Sequence, residues 1–218
     1  MQKLLIIQHQ PTVPPGSTLE WAAKNNIAVE YWHPAEGGSA PNIATVDGVV
    51  ICGGTANAFE EDKYPWLKTE KQFLKDLIKE NKKIFGLCLG SQLLAEVLGG
   101  KVFVNPNGWE SGFVPVRMQD GSTLQAFQSH LCTFDLPAGA ELFASSELCK
   151  NQAYRFGKNI IATQFHPETT VDWIKFCADK DLSARFGQVQ TKEQMLNSLA
   201  LQKPLQDWYF KQLDQFFI

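Results

Sequence analysis

The stretch Lys83-Ile84-Phe85-Gly86-Leu87-Cys88-Leu89-Gly90-Ser91-Gln92 constrains the fold of this chain more than any other. An apolar run ends in Gly-Leu-Cys-Leu-Gly, and a helical pattern starts at once with Leu93, Leu94, Val97 and Leu98, stopped by Gly99-Gly100. That reads as strand, sharp turn, helix, with a cysteine at the turn. Such an elbow needs glycines because close backbone approaches there leave no room for a Cβ. The cysteine would stand above a sheet edge at a helix N-terminus, whose partial positive charge favours a thiolate. A buried cysteine in an ordinary strand–helix connection fits the same five residues.

The segments around the elbow repeat its logic. Leu4 to Gln8 reads as a buried first strand, followed by a loop with Pro11, Pro14, Pro15 and Gly16. Ser17, with Glu20 three residues on, fits a capping box opening a helix. Ile27–Trp32 and Gly48–Cys52 read as further strands, the latter continuously apolar as in a sheet covered on both faces. Trp66 to Asn81 carries Leu67, Phe73, Leu74, Leu77 and Ile78 at helical spacing. The alternation predicts a parallel sheet with helices on both faces. After Lys101 short alternating segments read as hairpin strands laid against that sheet: 101–105, 112–118, 127–134, 142–145, 152–156 and 160–165. A helix begins at Asp172, and Thr191 to Gln194 looks like a second capping box. Leu205, Trp208, Tyr209, Leu213 and Phe216 form a last amphipathic stripe, read as core packing.

Composition narrows the classes. With 218 residues, 44% hydrophobic and 20% charged, the chain reads as one globular domain over 1–218, with appended C-terminal helices. A net charge of -3 and scattered basic residues give no reason to expect nucleic acid or an anionic membrane as partner. No run of about 18 apolar residues and no signal peptide is seen. Five cysteines without a CxxC pair argue against a disulfide framework and a zinc ribbon, and no metal ligand set is expected. The expectation is a reducing, cytoplasmic setting in which thiols stay free to react.

A second motif completes the chemistry. Ala162-Thr163-Gln164-Phe165-His166-Pro167-Glu168 delivers a histidine at a strand end, with a carboxylate two residues later. A thiol nucleophile needs a base to take or hold its proton, and the imidazole needs a third group to orient it. Cys88, His166 and Glu168 supply those types. A structural histidine at a strand end is the other reading of His166 taken alone.

The two motifs together, Gly86-Leu87-Cys88-Leu89-Gly90-Ser91-Gln92 and Gln164-Phe165-His166-Pro167-Glu168, resemble the class I (triad-type) glutamine amidotransferases, with most likeness to the glutaminase domain of GMP synthase. The resemblance runs from the first strand to about Phe176. It implies an open, mostly parallel, flavodoxin-like α/β fold and a Cys88–His166–Glu168 triad. It further implies an oxyanion hole from the Leu89 and Gly54 backbone N–H groups, and substrate contacts at Gly53, Gln92 and His130. No cofactor is implied. Two departures stand out. The glycine loop reads Gly53-Gly54-Thr55 where the family has Gly-Gly-Pro, which should loosen it, and Leu131-Cys132 follows His130 where relatives have Gly-Asp. Cys52, ending an apolar strand, reads as a small buried hydrophobe. His9 and His33 are loop-edge histidines without an evident partner, and Glu110 matches a family position of no assigned role.

Three functions remain open. The chain could hydrolyse glutamine and hand ammonia to a synthetase on another chain, since it carries no ATP-binding signature of its own. It could instead be a stand-alone hydrolase of γ-glutamyl peptides or amines. A sensor that kept the fold without the chemistry is the third, against which the intact triad argues.

Overall fold

The computed structural model describes residues 1–180 and 182–218. Its centre is a row of five parallel strands: β1 (Lys3–Ile7), β2 (Ala28–Trp32), β3 (Gly48–Ile51), β4 (Lys83–Leu87) and β11 (Ile160–Thr163), in the spatial order β2-β1-β3-β4-β11. Alternate side chains of these strands go to opposite faces. Leu4, Ile6, Val50 and Phe85 enter one apolar core. Leu5, Ile7, Val49, Ile51 and Ile84 enter the other.

Helices α1 (Thr18–Lys24), α4 (Val171–Ala178) and α6 (Gln202–Phe217) cover the first face, through Trp21, Ile174 and Tyr209 among others. Helices α2 (Trp66–Lys79) and α3 (Leu89–Val97) cover the second with Leu67, Leu74, Leu93 and Leu94. The stripe of α6 is core, as expected: Phe85 meets Tyr209 edge to face at 5.4 Å between ring centroids. Each such buried side chain contributes about 1.5–3 kcal/mol.

The hairpin segments differ from expectation in where they lie. They extend the parallel row sideways instead of stacking on it. Strands β10 (Ala153–Phe156), β9 (Ala140–Ser145) and β6 (Trp109–Met118) follow β11 in a ten-stranded sheet, and β7 (Thr123–His130) pairs with β6. Only β5 (Val102–Val104) and β8 (Cys132–Phe134) form a separate two-stranded ladder. The outermost strand, β12 (Gly187–Val189), pairs in parallel with β6 and was not anticipated.

The two capping boxes part company. Thr191 and Gln194 make both reciprocal bonds at the start of α5 (Lys192–Asn197). Ser17 makes no side-chain cap, because its backbone is helical and its N–H is already given to the Glu168 carbonyl at 2.8 Å. No helix among the described residues is long and apolar enough to cross a membrane.

Candidate active site

Cys88 occupies the single residue between β4 and α3, at φ 49° and ψ -104°. Positive φ in a residue with a Cβ persists only where surrounding contacts hold it. Here the Cys88 N–H donates to the Thr163 carbonyl at 2.8 Å, while its own carbonyl accepts from the Ser91 N–H at 3.0 Å and hydroxyl at 2.7 Å. The flanking glycines are required by crowding. A Cβ at Gly86 would meet Leu94 at 2.6 Å, and one at Gly90 would meet the Ile51 carbonyl at 2.6 Å.

The histidine arrives on the neighbouring strand. Thr163 of β11 lies level with Leu87 of β4, so the chain leaving β11 runs past the elbow. His166 is fixed there by its N–H bond to the Phe127 carbonyl at 2.8 Å and by Trp173, whose ring centroid is 4.7 Å away. Its Nδ1 lies 2.8 Å from Glu168 Oε1, and its imidazole is hydrogen-bonded to the Cys88 side chain. Burial alone would lower the His166 pKa. The negative charges of Glu168 and the Cys88 sulfur outweigh it and raise the value to about 10. The arrangement therefore suits an imidazolium between a carboxylate and a sulfur anion.

Gly54, Cys88, Leu89, Gln92, His130 and His166 all line one cavity of about 350 Å³, the size of a small-molecule cleft. Gln92 reaches across it, donating to Gln164 Oε1 at 3.1 Å, and Gln164 in turn points its Nε2 at the Cys88 sulfur, 3.6 Å away. Gly53 is different. It does not line the cavity but is buried behind it, where a Cβ would sit 2.8 Å from His166 Cε1. The glycine loop is also better tied than Thr55 suggested, because the Thr55 N–H and hydroxyl both donate to Gln10 Oε1, at 3.3 and 2.7 Å.

One buried pair escaped the sequence reading. His9, only 6% exposed, has Nδ1 2.9 Å from the Gly53 carbonyl and Nε2 3.0 Å from each oxygen of the fully buried Glu70. A signal was present: Glu70 falls in the apolar stripe of α2, between Leu67 and Leu74. A carboxylate at a core-facing helical position calls for a partner.

A second Glu/His/Cys group lies apart from the elbow. Glu110 and His130 are cross-strand partners on β6 and β7, with Glu110 Oε2 and His130 Nε2 3.0 Å apart. Among the described residues, only these two and Cys149 bring three metal-ligand-type atoms within 4.8 Å of one another. Spacing along the chain hides this group because the ladder assembles it. Glu110 already accepts from the Ser146 hydroxyl at 2.6 Å and from Gln152 Nε2 at 2.7 Å. The remaining thiols are quiet: burial raises Cys52 well above its ordinary range, Cys132 to about 11, and Cys149 and Cys177 to about 12.

Comparison with known proteins places this geometry in context. The family model described as glutamine amidotransferase class-I matches residues 22–172. A Sulfolobus acidocaldarius protein, named as the glutamine-hydrolyzing chain of a GMP synthase, is 35% identical over 60% of this chain and 71% of its own length. Gamma-glutamyl peptidase 3 of Arabidopsis thaliana is 24% identical over 72% of this chain and 69% of its own. A Saccharomyces cerevisiae relative, 30% identical over 57% of this chain, is spanned for only 54% of its length. The crystal structure of a glutamine amidotransferase from Thermotoga maritima superposes with a TM-score of 0.89 at 27% identity, covering 99% of this chain and 98% of that one. With the family pattern matched over more than half its length, the chain belongs to the class I glutamine amidotransferases.

Proposed function

We propose that residues 1–218 work as one unit that cleaves a γ-glutamyl amide through a thioester on Cys88. The observation that carries this reading is the contact series Cys88–His166–Glu168 at the wall of the cavity. The Cys88 sulfur bonds to the γ-carbonyl carbon, and the Leu89 and Gly54 N–H groups receive the charge that develops on oxygen. His166 passes its proton to the departing nitrogen as the C–N bond breaks. Water then gives a proton to His166 and attacks the thioester. The C–S bond breaks and glutamate leaves. Glu168 holds the imidazole in orientation throughout. Each oxyanion donor is worth about 3–4 kcal/mol. Gln92 and His130 line the substrate end of the cavity.

With glutamine as substrate the nitrogen leaves as ammonia, for use by a synthetase on another chain; the relative named as part of a GMP synthase supports this. A second reading, hydrolysis of γ-glutamyl peptides or amines, draws on the cavity wall beyond the triad. Trp109, Leu131, Lys180 and Leu182 add an apolar surface and one cation where a bulkier leaving group would sit. The relative named as a γ-glutamyl peptidase points the same way. Five free cysteines suit a reducing, cytoplasmic setting. The test is release of glutamate from glutamine and from a panel of γ-glutamyl peptides, by the chain alone and with cell extract. Extract-dependent glutaminase activity supports the first reading, and partner-free peptide cleavage faster than that of glutamine supports the second. A protein that turns over neither, while Cys88 alkylates normally, overturns both.

A further inference from the structure

We infer that His9 and Glu70 are positioning residues for the oxyanion hole, holding the Gly53–Gly54 peptide so that the Gly54 N–H faces the reacting carbonyl. The inference rests on the thioester reading of Cys88 given above. The Gly53 carbonyl and the Gly54 N–H belong to one peptide unit. No cis peptide is present among the described residues, so the two groups point in opposite directions. His9 grips the carbonyl side at 2.9 Å. The N–H side is thereby turned away from His9, and Gly54 itself lines the cavity beside Cys88 and Leu89. No protein acceptor takes the Gly54 N–H among the described residues. It is a donor without a partner at the place where the reading requires one.

The protonation of His9 follows from its neighbours. A backbone carbonyl only accepts, and so does a carboxylate. Nδ1 facing the Gly53 carbonyl and Nε2 facing both Glu70 oxygens must therefore both carry hydrogen. Burial works against that cation, but Glu70 and the Gly53 carbonyl prevail and raise the His9 pKa. Trp66, stacked at 5.3 Å, closes the remaining side of the ring without adding charge. An imidazolium on the carbonyl polarises the whole peptide and strengthens its N–H as a donor. The pair thus supplies both orientation and charge to a group that never touches it.

The test compares His9→Gln and Glu70→Gln with the unchanged chain, using glutamine and a γ-glutamyl peptide. Both variants are expected to lose about 10- to 100-fold in kcat with KM little changed, because a transition-state donor is misplaced while ground-state binding survives. Alkylation of Cys88 by iodoacetamide needs no oxyanion hole and should keep its rate. Glu70→Gln also removes what holds the second proton on His9. Its activity should fall further as pH rises past about 6.5, a loss absent from the unchanged chain. Should His9→Gln fail to fold, that pH profile decides alone. Unchanged kcat and pH profile in Glu70→Gln overturn the inference while leaving the triad intact. Loss of iodoacetamide reactivity in step with kcat means the variants disturb Cys88 itself, and also overturns it. An unchanged chain that forms no thioester overturns the reading of Cys88 first.

Discussion

The chain builds a cysteine, a histidine and a glutamate into one buried group twice, and only one of the two can do chemistry on a ligand. Cys88, His166 and Glu168 meet where two adjacent strands end, at the wall of a cavity. Cys149, His130 and Glu110 meet across an antiparallel ladder and a loop. Cys88 is lifted into view by a strained φ and has an imidazole as its hydrogen-bond partner. Cys149 is 1% exposed, its sulfur engaged with the Thr133 hydroxyl at 3.3 Å, and its thiol is pushed up to about 12. Glu168 spends one oxygen on His166, whereas both oxygens of Glu110 are taken by Ser146 and Gln152. Residue type is the same in both groups. Backbone placement and the saturation of the carboxylate separate a reactive set from a structural one.

The largest expected difference is in turnover. Cys88→Ala should lower γ-glutamyl hydrolysis by about 10⁴-fold or more, while Cys149→Ala should leave it within about twofold. Comparable losses in both, with folding intact by circular dichroism, would erase the distinction. Next comes Glu168→Gln, expected to cost about 10²- to 10⁴-fold in kcat and to leave more activity than Cys88→Ser or His166→Ala, since an orienting group is replaced by a near-isostere.

How much of this could be read from the chain itself follows a physical line. The elbow was legible because glycine spacing and a change from strand to helix pattern are local, and the parallel order followed from the alternation around it. His166 and Glu168 were legible because strand, stop and carboxylate sit within a few residues. Contacts that depend on the assembled sheet were not. The pairing of β6 with β9 and β12, and the Glu110–His130–Cys149 group, arise from register across distant segments. Ser17 shows the reverse failure: a sound local signal was overridden because Glu168 claimed its N–H.

Alkylation should sharpen the contrast further. A diazo-ketone glutamine analogue should label Cys88 before Cys52, Cys132, Cys149 or Cys177, whose thiols burial holds in the neutral form. Peptide mapping that found Cys132 labelled first would move the nucleophile across the cavity. A smaller effect lies in stability. The His166 pKa of about 10 stands above the ordinary value near 6.5, so its contribution is present in full below about 6.5 and is lost as pH rises through about 10. Melting temperature should decline across that window in the unchanged chain and decline less in Glu168→Gln. The smallest expected effect is Glu110→Gln, which strands hydrogen-bonding groups of Ser146 and Gln152. It should cost about 1–3 kcal/mol in denaturant unfolding.

The hydrogen bond from the Cys88 N–H to the Thr163 carbonyl has a bearing on how the protein is made. The elbow leaves the ribosome well before β11 exists, so a nascent chain carries the cysteine without the acceptor that holds its backbone. His166 and Glu168 emerge later still. A partly synthesised or truncated chain therefore holds a cysteine with neither its posture nor its proton partner, and reactivity is withheld until the last parallel strand docks. Completion of the sheet is in this sense the step that arms the molecule, and a stalled product would be chemically silent.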